Sequence, residues 1–169
     1  KVGDPLDLKS NMGSMISKGH LQTVDGYIQK GIDEGAKLLS GGVSNNKQKG
    51  FYAKPTLFDG LKENMTIAQE EIFGPVLSVI PFDTEEAAIC MANDSVYGLA
   101  ASVWTDNLSR ALRVSDRLMA GTVSVNTVDA LSAMTPFGVM KQSGFGRDLS
   151  LHSFDKYTAL KTTWIKYAS

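Results

Sequence analysis

Gln69-Glu70-Glu71-Ile72-Phe73-Gly74-Pro75 places two carboxylates directly before an aromatic side chain and a Gly-Pro break that stops any helix. A carboxylate can accept hydrogen bonds from two neighbouring hydroxyls at once, and a nearby ring can cover a flat heterocycle. Ribose plus nicotinamide would present such a pair of targets. The plainer alternative is a solvated acid pair beside a core phenylalanine. Cys90, the single cysteine, lies in Ala87-Ala88-Ile89-Cys90-Met91-Ala92, and neither His20 nor His152 is near it in sequence. An activated thiolate needs a positioned base, so we reject Cys90 as a nucleophile. Two histidines this far apart give no metal-ligand spacing, and no metal site is predicted.

The elements around these residues follow from apolar period and turn chemistry. Residues 1–13 read as an irregular lead-in with a turn at Gly3-Asp4-Pro5. From Ser17, the spacing of Leu21, Val24, Ile28, Ile32, Ala36 and Leu39 predicts one helix, ended by Gly41-Gly42. Phe51 to Phe58 predicts an edge strand around Pro55, and Val76 to Phe82 a buried strand. Thr84, with Glu85 and Glu86, caps a helix to about Asn93. Leu99 to Thr105 reads as a strand, Asn107 or Ser109 opens a helix to Met119, and Gly121 to Asn126 is another strand. Alternating strands and helices imply an α/β fold with a largely parallel sheet and crossover helices. Residues 129–148 read as a glycine-rich loop, 149–154 as a short helix, and 157–167 as a strand. That last strand either pairs with another chain or closes this chain's own sheet.

Composition narrows the class. The 169 residues suit one domain, and 43% apolar with 21% charged residues is the balance of a globular protein. A formal net charge of −1 leaves no electrostatic footprint for nucleic acid. No apolar run approaches the ~20 residues that span a bilayer, so no membrane partner is expected. One cysteine cannot form an internal disulfide, which fits a reducing, cytoplasmic setting. Asn64, Asn93 and Asn107 open N-x-S/T sequons, read as chance matches in the absence of a secretion signal. The sequence begins at Lys1 and not at Met, which suggests a piece of a longer protein.

Five segments share one resemblance. Lys1-Val2-Gly3-Asp4-Pro5-Leu6, the Gln69–Pro75 stretch, Tyr97-Gly98-Leu99-Ala100-Ala101, Pro136-Phe137-Gly138 with Lys141, and Ser143-Gly144-Phe145-Gly146-Arg147 resemble signatures of the aldehyde dehydrogenase superfamily. They do so in order and in separation, over essentially the whole chain. Within that family, Lys141-Gln142-Ser143-Gly144 and Arg147-Asp148-Leu149-Ser150-Leu151-His152 look closest to dehydrogenases of aminoaldehydes such as 4-(γ-glutamylamino)butanal.

The resemblance implies part of a catalytic domain at 1–156 and an oligomerisation strand at 157–169, in a homo-oligomer (dimer or tetramer). It implies oxidation of an aldehyde to a carboxylic acid. A cysteine thiolate attacks the aldehyde, hydride passes to NAD or NADP, and a glutamate activates the water that hydrolyses the thioester. The nucleophile, the base and most of the dinucleotide fold lie upstream of this chain in that family. No catalytic residue is therefore expected here, and the isolated chain is expected to be inactive. Cys90 matches an ordinary helix position.

Individual residues take expected roles from the same likeness. Glu71 takes the nicotinamide-ribose hydroxyls and Phe73 packs beside the ring, while Gly74-Pro75 shapes the turn that presents them. His20 occupies a position that lies close to that ribose in related enzymes, or is simply a surface histidine. The 126–134 segment resembles a substrate-entrance loop, where Asp129 would attract a cationic aminoaldehyde and Leu131 and Met134 would line an apolar tunnel. An ordinary exposed loop acid is the competing reading of Asp129. Phe137 contacts either substrate or core. Val139 stands where the family repeats glycine, and would be strained if that site needs positive φ. Asp148 stands where glutamate is commoner. The competing class is a non-catalytic module that binds partners or caps an oligomer, favoured by the complete β/α alternation. A free-standing nucleotide-binding domain is disfavoured by the missing phosphate-binding glycine loop.

Overall fold

The computed structural model describes residues 1–45, 50–128 and 130–167. The chain divides into two compact units, Lys1–Asp83 and Thr84–Ser169, a division that falls inside the single domain expected at 1–156.

In the first unit, α1 (Lys18–Asp33) starts at Ser17, whose hydroxyl accepts from the His20 backbone N–H at 3.1 Å. Leu21, Val24 and Ile28 form its buried stripe. The helix does not continue to Gly41-Gly42. It stops eight residues earlier than that pair, because Gly35 takes φ +89°. Gly35 N–H then bonds Ile32 C=O and Ala36 N–H bonds Gly31 C=O, a Schellman ending. Ala36 and Leu39, assigned to the helical period, fall in the turn and in strand β1 (Lys37–Ser40).

β1 pairs antiparallel with β2 (Thr56–Asp59), which pairs in parallel with β3 (Val76–Ser78). The strand expected as an edge is thus the central one, and Pro55 lies just outside it. A one-turn helix α2 (Thr66–Gln69) bridges β2 and β3. It lacks a cap of its own at Met65, and Glu34 supplies one from the end of α1, accepting from Thr66 N–H at 2.7 Å. That contact, first through the Thr66 hydroxyl, holds the Glu34 carboxyl below its ordinary pKa. Phe58, Leu21, Ile28 and Val24 are fully enclosed, and Ala53, Leu61, Met65, Ile67 and Ile72 complete the core.

The second unit begins with α3 (Glu85–Asn93), capped as expected by Thr84, whose hydroxyl accepts from Ala87 N–H at 3.1 Å. β4 (Tyr97–Gly98), β5 (Ala100–Val103), α4 (Leu108–Arg117, capped by Asn107) and β6 (Thr122–Val125) follow. β5 and β6 run parallel, from Ala100 opposite Thr122 to Val103 opposite Val125. Short antiparallel ladders join β4 to β8 (Met140–Lys141) and β7 (Phe137–Gly138) to β9 (Arg147–Asp148). The α/β class therefore holds, with parallel pairing where a helix makes the crossover and antiparallel pairing elsewhere. A 3₁₀ turn covers Leu151–Lys156.

Residues 158–167 carry no helix or strand and pair with no described element, so they do not close this chain's own sheet. No helix among the described residues is long and apolar enough to cross a membrane.

Candidate functional site

The 70–75 segment is pinned at both ends. Glu70 N–H closes the α2 turn onto Thr66 C=O at 2.9 Å, and Pro75 C=O accepts from Thr56 N–H of β2 at 2.8 Å. Between these anchors Ile72 enters the core, and the residues on either side of it face outward. Glu71 and Phe73 are both exposed, and Phe73 is 77% so. The alternative in which Phe73 is core is thereby excluded.

One face of α1 holds this segment from beneath, through residues 20, 24 and 27. Tyr27 donates its hydroxyl to Glu70 Oε2 at 2.8 Å. Val24 fills the space under Gly74, where an added Cβ would meet its methyl at 2.6 Å. His20 Nε2 lies 2.7 Å from the Phe73 carbonyl oxygen. A carbonyl can only accept, so Nε2 carries the proton. The two rings also touch, with centroids 6.0 Å apart and tilted by 42°. Nδ1 of the same ring is enclosed and has no partner among the described residues.

Two consequences bear on chemistry. Of the two adjacent acids, Glu70 is engaged by Tyr27, while Glu71 makes no hydrogen bond or ion pair among the described residues. Glu71 is thus the acid open to a pair of ligand hydroxyls. Phe73, moreover, adopts φ +52°. That conformation costs a residue with a side chain about 1–2 kcal/mol, and strain of this kind clusters at ligand-binding sites.

The second unit carries a separate pocket of about 390 Å³. Its floor is Ala100 and Ser102 of β5 with Thr122 and Ser124 of β6, and Leu131 and Phe137 stand on its wall. These two residues, both expected at the substrate, are therefore brought together. Met134 is exposed and does not line the pocket. Asp129 lies outside the described residues.

The remaining expectations are placed as follows. Cys90 is exposed on α3, beside Asn93, Asp94 and Arg117, with no histidine among the described residues that line that surface. His152 lies at the start of the 3₁₀ turn, where its backbone N–H donates to the hydroxyl of the cap residue Ser150, so it is capped and does not itself cap the turn. Val139 is not in the left-handed region; the strained non-glycine residues nearby are Lys141, Leu149 and Ser150. Asp148 pairs with Lys156. Among the described residues no group of three or more His, Cys, Asp or Glu could hold a metal ion. Tyr27 was not singled out from sequence, although its spacing of seven from His20 places the two on one helix face.

Comparison with known proteins places this geometry. A model of the aldehyde dehydrogenase family matches residues 1–163. The chain is 48% identical over 166 residues to a betaine aldehyde dehydrogenase of Rhizobium etli, covering 97% of this chain and 34% of that protein. It is 46% identical over 165 residues to the putative aldehyde dehydrogenase DhaS of Bacillus subtilis, covering 98% and 33%. Among solved structures, an indole-3-acetaldehyde dehydrogenase complexed with NAD+ superposes with a TM-score of 0.93 at 54% identity, over 99% of this chain and 34% of that one. The chain thus spans about a third of the length of the relatives it matches.

Proposed function

This chain belongs to the aldehyde dehydrogenase family, and from that premise we propose that it supplies the nicotinamide-side contacts of an NAD-dependent enzyme oxidising an aldehyde to a carboxylic acid. The observation that carries the reading is the outward display of Glu71, without a partner among the described residues, next to Phe73 in a strained conformation. NAD, when bound, supplies the hydride acceptor. The residues present fit such a group. Glu71 accepts from its ribose hydroxyls, and Phe73 offers a ring face beside the nicotinamide. Holding the acceptor in near-attack geometry is worth several kcal/mol of barrier. NADP is a further candidate, since nothing in these contacts reads the 2′-phosphate.

In the full-length protein, Glu71→Gln keeps shape but loses the charged acceptor. We expect KM for NAD to rise roughly ten- to a hundredfold, as loss of a charge-assisted bond of about 1.5–3 kcal/mol implies. Unchanged NAD kinetics would remove Glu71 from the site. The catalytic nucleophile and base belong elsewhere in the full-length enzyme, and Cys90 carries no turnover.

The substrate reading is finer. The Leu131 and Phe137 wall suits an apolar stem, and Asp129 with the C-terminal likeness favours a cationic aminoaldehyde. The relatives are named for betaine aldehyde and for indole-3-acetaldehyde, so their names do not choose between charged and neutral substrates. Asp129→Asn should lower kcat/KM for a cationic aldehyde and spare a neutral one of equal length. Equal losses on both would count against a role for Asp129 in charge selection. For 157–169, pairing with a second copy of the chain in a homo-oligomer remains our proposal.

A further inference from the structure

We infer that His20 is a positioning residue, which holds the Phe73 peptide in its left-handed turn and so presents Glu71 and Phe73 to the cofactor. The inference deepens the reading above and rests on it. The described contacts that join α1 to the segment act at different atoms. Tyr27 holds a side chain, at Glu70, and Val24 sets the space under Gly74. Among the described residues, His20 is the one whose side chain hydrogen-bonds the backbone of the residue in the strained conformation, through Nε2 to the Phe73 carbonyl.

The Phe73 side chain is mostly exposed, so burial of its ring does not hold φ at +52°. Gly74, the residue that tolerates positive φ freely, does not adopt it. Its lack of a Cβ serves the close approach to Val24. The turn is therefore made at the residue that bears the ring, and a hydrogen bond from His20 favours the peptide orientation that goes with it. Without that bond, the fraction of molecules displaying Phe73 and Glu71 correctly falls. Apparent affinity falls by the same fraction, because a ligand selects the competent conformer.

The test uses the full-length protein with two substitutions at His20. His20→Ala removes the donor, and His20→Gln offers an amide N–H near the position of Nε2. We expect His20→Ala to raise KM for NAD about fivefold, the equivalent of one net hydrogen bond. kcat should stay within about twofold and KM for the aldehyde should not move, a split that general destabilisation does not produce. His20→Gln should restore most of the affinity. An unchanged KM for NAD in His20→Ala overturns the inference. So does a His20→Gln variant as weak as alanine, which would show that the ring itself, not its donor, is needed. Crystal structures of the variants without NAD supply an independent readout. Phe73 should leave the left-handed region in His20→Ala and keep it in His20→Gln; retention in both also overturns the inference. If Glu71→Gln leaves NAD kinetics untouched while Phe73 still follows the His20 donor, the cofactor reading fails and the positioning of the turn stands.

Discussion

The two units are held together by different means. Lys1–Asp83 has a contiguous apolar core in which Phe58, Leu21, Ile28 and Val24 are fully buried. In Thr84–Ser169 the buried hydrophobic side chains among the described residues are Ile89 and Ala111. Polar ties carry more of the work there. Glu85 binds Arg110 and Arg113, Glu86 binds Arg117, and Asn93 receives Met119 N–H while donating to Arg117 C=O. Lys141 Nζ donates to two backbone carbonyls, of Asn93 and Ser95. The difference teaches where precision is local. The 70–75 turn is anchored on α1 and β2 of a unit with its own core, so its strained display is supported by packing within the unit. The second unit leaves Leu151, Phe154, Tyr157, Leu160 and Trp164 exposed. Large exposed apolar patches mark interaction sites in general, and these exposed side chains are compatible with the oligomer proposed above.

The contrast can be broken at either unit. Phe58→Ala should have the largest effect, destabilising the first unit by about 3–5 kcal/mol through loss of a fully buried ring, read from the midpoint of urea unfolding. A cost below about 1 kcal/mol would show that Phe58 does not fill the core.

A smaller and sign-specific effect is expected from acid in the second unit. Hydrogen bonds from Arg113 and Arg117 hold the Glu85 and Glu86 carboxyls below their ordinary value of 4.5. A depressed carboxylate contributes stability that is present above its unfolded pKa and lost as pH falls through the folded one. Amide exchange in α3 and α4 should therefore stay level from neutral pH down to about 4.5, after correction for intrinsic rates, and rise below it. The pairs are exposed, so the effect should be modest and should shrink in high salt. Protection that is flat down to pH 3 would contradict this account of how α3 and α4 are joined.

Much of this organisation was legible where a local rule sufficed. Thr84 and Asn107 were readable as caps because each precedes an amphipathic run. Glu71 and Phe73 were singled out from residue type and family likeness together, and what the structure adds is that both face outward. The end of α1 was misread because Gly41-Gly42 is the louder signal, while the single Gly35 stops the helix. Strain was looked for at Val139, where a glycine was missing, and was found at Phe73 instead. The His20–Phe73 bond spans 53 residues, and no periodicity links positions so distant. Strand character at 157–167 was read from alternation and from the family likeness; a strand also needs a partner, and residues 158–167 pair with no described element of this chain.

The account rests most directly on Glu71, and the most direct measurement is a structure of the full-length protein with NAD bound. We predict the Glu71 carboxylate within hydrogen-bonding distance of both nicotinamide-ribose hydroxyls, with the Phe73 ring against the nicotinamide and φ at Phe73 still positive. A cofactor seated with Glu71 turned away into solvent and Phe73 relaxed to an ordinary extended conformation would contradict it.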